Sequence, residues 1–459
     1  MRASATILLV AAMALRVSGA DAPAPEPVAP MDPDIQEIVR AISAERIQRS
    51  IFVLASFKTR HTLSDPLPSG DGIGGAAAWV RAEFERASKD GGGRLRVELD
   101  TFDQPMAPPR IPQPMQITNI VATLPGTDES SGRTLVMSSH YDSRATNPLD
   151  ASSAAPGADD DGSGVAAVLE LARVMSHYRF RATIVFLAVA GEEQALNGST
   201  HWAKAARERD ANIEAMMSDD IIGSSRSQAG VVDRSTIRLF AQGVPPVAKP
   251  DDEQLALLRA GGENDTPPRE LARAIRETAG LYVPTMKVRI IYRMDRYLRG
   301  SDHLSFLQYG FPAVRFTEPA EDFRRQHQDV RMENGVQYGD TPDHVDFAYT
   351  ADVARVNGAA LAVIARAPAE PTGVQLDASR LENDTRLRWL PGTDDAVAEY
   401  RIVWRETTSP YWEHSLMVGK DATRVTIPES RDNVIFGVEA VDAAGHASPA
   451  VYPAARTTL

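Results

Sequence analysis

The chain has 459 residues, more than one ordinary hydrophobic core accommodates, so two or three domains are expected. Its 43% hydrophobic and 24% charged residues are those of a soluble globular protein, and a net charge of −13 argues against nucleic acid or an anionic membrane as the main partner. It contains no cysteine, which excludes disulfides and thiolate metal ligands, so any metal must be held by His, Asp and Glu.

Residues 1–20 read as a secretory signal: Arg2 supplies a short positive start, Ile7 to Leu15 an apolar run, and Ser18-Gly19-Ala20 a small-residue cleavage site. The apolar run is too short to span a bilayer, and no cysteine is present to carry a lipid anchor. A secreted or periplasmic protein without a membrane anchor is therefore expected. Residues 21–34 are rich in Pro and Ala and read as a linker. Ile35 to Ala55 and Gly74 to Ala87 follow as helix-like stretches, and Ile117 to Leu124 and Thr134 to Ser138 as strands.

The second strand runs into Ser139-His140-Tyr141-Asp142-Ser143. After it comes Gly157-Ala158-Asp159-Asp160-Asp161-Gly162-Ser163-Gly164, which opens an amphipathic helix with Val165, Val168, Leu169 and Ala172 at helical spacing. Ser163 or Asp161 is placed to cap that helix. A further strand, Thr183 to Val189, ends in Ala190-Gly191-Glu192-Glu193, and Ala215 to Ile222 carries Asp219 and Asp220. Alternating strands and helices predict an α/β fold, a mostly parallel central sheet with helices on both faces. Ligands of such sheets sit beyond the carboxyl ends of the strands, and His140, Glu192, Glu193 and Asp220 all fall there.

Gln242 to Tyr297, with a helix from Arg269 to Thr278, reads as an insertion shaping one wall of a cleft. Ser301-Asp302-His303 opens a short helix, Phe311 to Phe316 leads into another strand, and His327 lies in the loop beyond it. An Ala-rich helix from Tyr349 to Arg366 closes a domain over 35–368. From 369 to 459 short apolar–polar alternations separated by turns predict an all-β sandwich. Trp389, Tyr400 and Phe436-Gly437-Val438-Glu439-Ala440-Val441-Asp442 resemble a fibronectin type III domain. This module carries no cluster of potential catalytic residues. It is expected to be separable, docking on the preceding domain or binding a surface.

Three adjacent aspartates repel one another by about 1 kcal/mol or more per close pair, which points to a cation nearby. The candidates for holding it are His140, Asp142, Asp160, Glu192, Glu193, Asp220 and His327. Singly, each has an ordinary alternative: a buried hydrogen-bonded histidine, a solvated acidic pair, a helix cap.

As a series, H-x-D at a strand end, G-x-x-D-D-x-S-G opening a helix, G-E-E after a strand, D-x-I-G, S-D-H and a late His before D-T resemble the secreted co-catalytic dizinc aminopeptidases. That family also includes carboxypeptidases and glutaminyl cyclases. The resemblance covers Ile35 to Arg366 and implies two zinc ions. His140, Asp160 and Asp220 would hold one, and His327, Glu193 and Asp160 the other, with Asp160 bridging. It implies Glu192 as general base and Asp142 as the carboxylate orienting His140. His303 is the alternative for the last ligand. The activity implied is hydrolysis of peptides at the amino end. The surplus acid of Glu192, Asp159, Asp161 and Asp219 would suit a free α-amine. A carboxypeptidase or dipeptidase, or a cyclase needing one zinc, are the rivals.

Overall fold

The computed structural model describes residues 31–128, 130–245, 251–392 and 394–456. The signal at 1–20 and most of the linker at 21–34 lie outside them. Helix α1 (Pro33–Ala41) already starts within the expected linker, because Asp32 caps it by accepting the amides of Asp34 and Ile35. The single helix expected over 35–55 is two: Ser43 stops α1 and caps α2 (Ala44–Ser56). Helix α3 (Ile73–Asp90) follows.

Eight strands form the main sheet: β1 (Arg96–Gln104), β2 (Met115–Leu124), β3 (Arg133–His140), β4 (Thr183–Val189), β5 (Asn212–Asp219), β6 (Thr236–Ala241), β7 (Lys287–Ile291) and β8 (Ala313–Thr317). Their order is β1-β2-β4-β3-β5-β8-β6-β7. The centre, β4-β3-β5-β8, is parallel, while β1, β2 and β6 join antiparallel to their inner neighbours. The sheet is therefore mixed, with its parallel part where the motifs lie. Strand β1 had no signal in the sequence, since charged and polar residues interrupt its apolar ones and it is half-exposed along its length.

Strand β4 shows why the sheet needs two covered faces. Ile184, Phe186 and Ala188 join one core, and Val185, Leu187 and Val189 the other. Helices α1 to α3, α4 (Gly162–Met175), α7 (Pro267–Tyr282) and α9 (Phe347–Arg366) cover the first face. Helices α5 (Asn197–Glu208) and α8 (His303–Gln308) cover the second. Helix α4 is not the one-faced amphipathic helix that its spacing predicted. Every residue but Arg173 is buried, because α2, α3 and α9 close over its outer side. The segment read as an insertion supplies α6 (Asp252–Arg259), α7 and the edge strand β7, so it extends the sheet itself.

The chain goes from β3 through α4 to β4 on one side, then through α5 to β5 on the other side of β3. This reversal opens a crevice at the carboxyl end of β3. A hairpin of β9 (Arg331–Glu333) and β10 (Val336–Tyr338) fills the interval between His327 and Asp340.

The C-terminal segment forms two small sheets. One contains β11 (Gln375–Asp377), β12 (Thr385–Arg388), β15 (Arg424–Ile427) and β17 (Ala454–Arg456); the other contains β13 (Glu399–Glu406), β14 (His414–Gly419) and β16 (Val434–Val441). They share a core that includes Leu387, Trp389, Tyr400, Ile402, Phe436 and Val438. Side chains cross between this segment and the larger part. Arg405 pairs with Asp265 at 2.6 Å, Trp412 Nε1 donates to Glu270 at 3.2 Å, and Arg273 Nε donates to the Pro410 carbonyl at 2.8 Å. Among the described residues, no helix is long and apolar enough to cross a membrane.

Candidate metal centre at the carboxyl edge of the sheet

The three aspartates differ in direction because each meets different backbone. Asp161 caps α4 by accepting the Gly164 amide at 3.0 Å, and also accepts the amides of His140 at 3.2 Å and Ile221 at 3.3 Å. It thereby ties the ends of β3 and β5 to the start of α4. Asp159 accepts the Gly223 amide at 2.7 Å and the Ser163 hydroxyl at 3.0 Å. Burial pushes its carboxyl up to about 6, and burial raises Asp161 well above the ordinary range despite the nearby His140. Asp219 is turned inward and accepts Asn357 Nδ2 at 2.7 and 2.8 Å. Asp161 and Asp219 are fully buried, so the acidic surplus open to a substrate amine is smaller than the sequence suggested. Of the three consecutive aspartates only Asp160 joins a cluster of potential ligands, while Asp159 lines the cavity beside it; the Asp160 amide is held by Asp340 at 2.7 Å.

Two clusters of potential ligand atoms form there. His140, Glu192 and Asp220 make an inner triad, and Asp160, Glu193 and His327 an outer one, each with its ligand atoms within 4.8 Å of one another. Asp160 also joins the inner group, since its Oδ1 lies 3.3 Å from His140 Nε2 while its Oδ2 lies 3.0 Å from His327 Nε2. Asp220 Oδ1 is 3.8 Å from His140 Nε2, and Glu193 Oε1 is 2.9 Å from His327 Nε2. Glu192, read from the sequence as the base and not as a ligand, lies within ligand range of His140 and Asp220. Burial, opposed by His140 and reinforced by Glu193, Asp220 and Asp302, raises its carboxyl well above the ordinary range.

The carboxylate of Asp142 does not take the expected place. His140 Nδ1 meets the main-chain oxygen of Asp142 at 3.1 Å, with the Asp142 carboxylate 3.6 Å away. That carboxylate instead accepts the amides of Glu192 at 3.3 Å and Glu193 at 3.2 Å, and the Thr62 hydroxyl at 2.8 Å. Asp142 thus fixes the ring through its carbonyl and the Gly191-Glu192-Glu193 turn through its side chain.

His303, the alternative ligand, is fully buried, and its Nε2 faces the Met294 carbonyl at 2.9 Å; it belongs to neither triad. Arg315 lies beneath the inner triad, 3.1 Å from Asp220 Oδ2 and 2.9 Å from Asp295. Burial would raise Asp220, but Arg315 and His140 hold it below the usual carboxylate range. Arg60, which no motif marked, is fully buried and donates to the carbonyls of Tyr141 at 2.7 Å, Leu54 at 3.0 Å, Gly157 at 2.8 Å and Pro156. A charged residue between Thr59 and His61, just beyond a helix end, carries no signal in a single sequence.

A model of peptidase family M28 matches residues 119–361, a span that contains all the triad residues. A probable zinc metalloprotease of Leptosphaeria maculans is 48% identical over 94% of this chain and 98% of its own length. The chain belongs to peptidase family M28. Another relative, a probable zinc metalloprotease of Pyrenophora tritici-repentis, is 47% identical over 92% of this chain and 87% of its own. The crystal structure of Legionella pneumophila LapA aminopeptidase shares the fold, with a TM-score of 0.51 at 20% identity over 74% of this chain and 76% of that one. This M28 protein is a zinc metalloprotease, and its side chains suit the ion. His140 Nε2, Asp160 Oδ2 and Glu193 Oε1 are buried without a hydrogen-bond partner, although they face one another across the triads. Imidazole nitrogen and carboxylate oxygen are the donors zinc takes when thiolates are absent. Orphaned polar atoms of this kind are costly unless a cation meets them.

Proposed function

We propose that this M28 protein is an exported exopeptidase that removes residues from the amino end of peptides, with two zinc ions held by His140, Asp220 and Asp160 and by His327, Glu193 and Asp160. The reading is carried by the Asp160 carboxylate, which turns one oxygen to each histidine, as a ligand shared by two metals requires. Bound zinc supplies a Lewis acid for the scissile carbonyl and lowers the pKa of water toward about 7.

The chain's own groups do the rest. Glu192, held by its amide to Asp142, lies within the inner triad with a raised proton affinity. It would take a proton from the attacking water and pass it to the leaving amine. Asp142 prevents the Glu192-Glu193 turn from shifting, so the base and its neighbouring ligand keep separate directions. The amino-end preference is supported by charge. Arg144 and Arg315 are already paired with Glu193 and Asp220, while Glu192 has no ion pair to Arg or Lys among the described residues. An unpaired carboxylate suits a substrate ammonium, and a carboxypeptidase needs an available cation instead. Export rests on residues 1–20, and the module over 369–459 on its resemblance to fibronectin type III.

A panel of one small peptide with its α-amine free, acetylated, or free with an amidated carboxyl end tests the reading. Acetylation should abolish cleavage and amidation should change little. The reverse result assigns a carboxypeptidase. One observation favours a second arrangement: Glu192 lies within ligand range of His140 and Asp220. If Glu192→Gln lost zinc together with activity, Glu192 would be a ligand and not the base.

A further inference from the structure

The two triads are supported by opposite charges. His140 Nδ1 faces the main-chain oxygen of Asp142, the kind of partner that a metal-binding imidazole usually has on its second nitrogen. His327 Nδ1 faces Arg144 Nη2 at 2.7 Å. A guanidinium only donates, so His327 must accept there, whereas a ligating imidazole normally donates from that nitrogen. Arg144 Nε also lies 3.0 Å from Glu193 Oε2, so one cation touches two of the three outer side chains. The inner triad has a cation too, but it is neutralised. Arg315 contacts Asp220 and is matched on its other side by both oxygens of Asp295, at 2.9 and 3.0 Å. Among the described residues, Glu193 is the only carboxylate within 4.0 Å of Arg144.

The outer triad is also the more exposed, with the His327 side chain 25% accessible against 1% for His140. His327 sits in a loop tied down by contacts of its own. Its backbone lies at a φ of 54°, and its loop is fastened by Thr146 and Asp329, each accepting the other's amide at 3.1 and 3.0 Å. Arg144 thus adds a fixed positive charge beside a loop that other contacts also fasten. A fixed positive charge beside two ligands repels a divalent ion, more strongly in a half-buried setting than in water.

Resting on the dizinc reading above, we infer that Arg144 is a positioning residue that makes the Asp160–Glu193–His327 position the weaker and more readily exchanged of the two. It holds Glu193 by one oxygen and competes with the incoming ion for both Glu193 and His327. Removing its charge should tighten that position and leave the inner one unchanged.

The test is a zinc titration of the metal-depleted full-length protein against a chromophoric chelator, read as binding and not as turnover. The wild type should take two zinc in two resolved phases, and His327→Ala should remove the weaker. Arg144→Met should tighten the weaker phase by about tenfold or more, the scale on which groups around a ligand tune metal affinity, while the tighter phase stays put. Arg144→Lys, which keeps the charge, should stay near the wild type. A weaker phase that is unchanged or loosened in Arg144→Met overturns the inference, as do two phases of equal affinity or loss of the tighter phase in His327→Ala. Uptake of fewer than two zinc by the wild type removes the dizinc reading itself and the inference with it.

Discussion

At the scale of single residues, adjacent carboxylates have been given different work by their surroundings. Glu192 and Glu193 share a turn and an Asp142 anchor, yet only Glu193 pairs with Arg144 and His327. Glu192→Gln should keep two zinc and lose turnover by roughly 10²–10⁴-fold, the usual contribution of a general base. Glu193→Gln should lose one zinc as well, and metal analysis of both variants beside a kinetic assay separates the two roles. Asp219 gives a prediction about pH. Burial pushes its carboxyl up from 3.8 to about 8, with Asn357 opposing and Asp220 reinforcing the shift. The folded chain therefore keeps a proton that the unfolded chain releases between about pH 4 and 8, so stability falls as pH rises through that window. Melting curves of metal-depleted protein should show this decline in the wild type, and Asp219→Asn should lack that part of it.

At the scale of elements, the site depends on a buried guanidinium that never touches it. Arg60 joins the end of α2 to the residues after β3 and to the turn at Gly157, through four backbone carbonyls. Burial depresses its pKa to about 10, against the pull of Asp340, Asp142, Asp161 and Asp160, so it stays charged at neutral pH. Arg60→Met would leave those carbonyls buried and unpaired, at a cost of about 1 kcal/mol or more each. A loss of roughly 3–5 kcal/mol in urea unfolding is expected on that count, with weakened zinc binding because the loops of His140 and Asp160 lose their common tie. Unchanged stability would show that water replaces the guanidinium.

At the scale of the whole molecule, the C-terminal sheets and the metal-binding part are joined by paired buried charges. Removing everything after Ala369 would strip Asp265 of Arg405 and Glu270 of Trp412, leaving carboxylates turned to a vacated face. Arg273 would still pair with both, but one guanidinium would then face two buried carboxylates at an opened surface, which is destabilising. His446 adds a second tie, bridging Asp442 at 2.7 Å and Asp32 at 2.9 Å, so the start of α1 also depends on the module. A chain ending at Ala369 should melt lower and aggregate more readily than the full chain, and calorimetry of the full chain should show one transition. Two independent transitions would restore the separable module.

The site residues and the central strands could be read in the sequence because their signals are local. Apolar runs mark β3, β4 and β5, a helix cap follows the aspartates, and chemistry-bearing residues at strand ends must meet on one edge of a parallel sheet. His140, Asp160, Glu192, Glu193, Asp220 and His327 do converge there. What the sequence left open was direction and cover. Which of three aspartates joins the potential ligands depends on amides at Gly223, Ile221 and His140 that are distant in the chain. His327 and not His303 joins the outer cluster, and the His303 ring meets the Met294 carbonyl instead. The polar edge strand β1, the complete burial of α4 and the charged seam at Asp265 all arise from partners that arrive late in the sequence or from its far end. Local patterning sets what an element is, while the groups it faces are decided only when distant backbone closes around it.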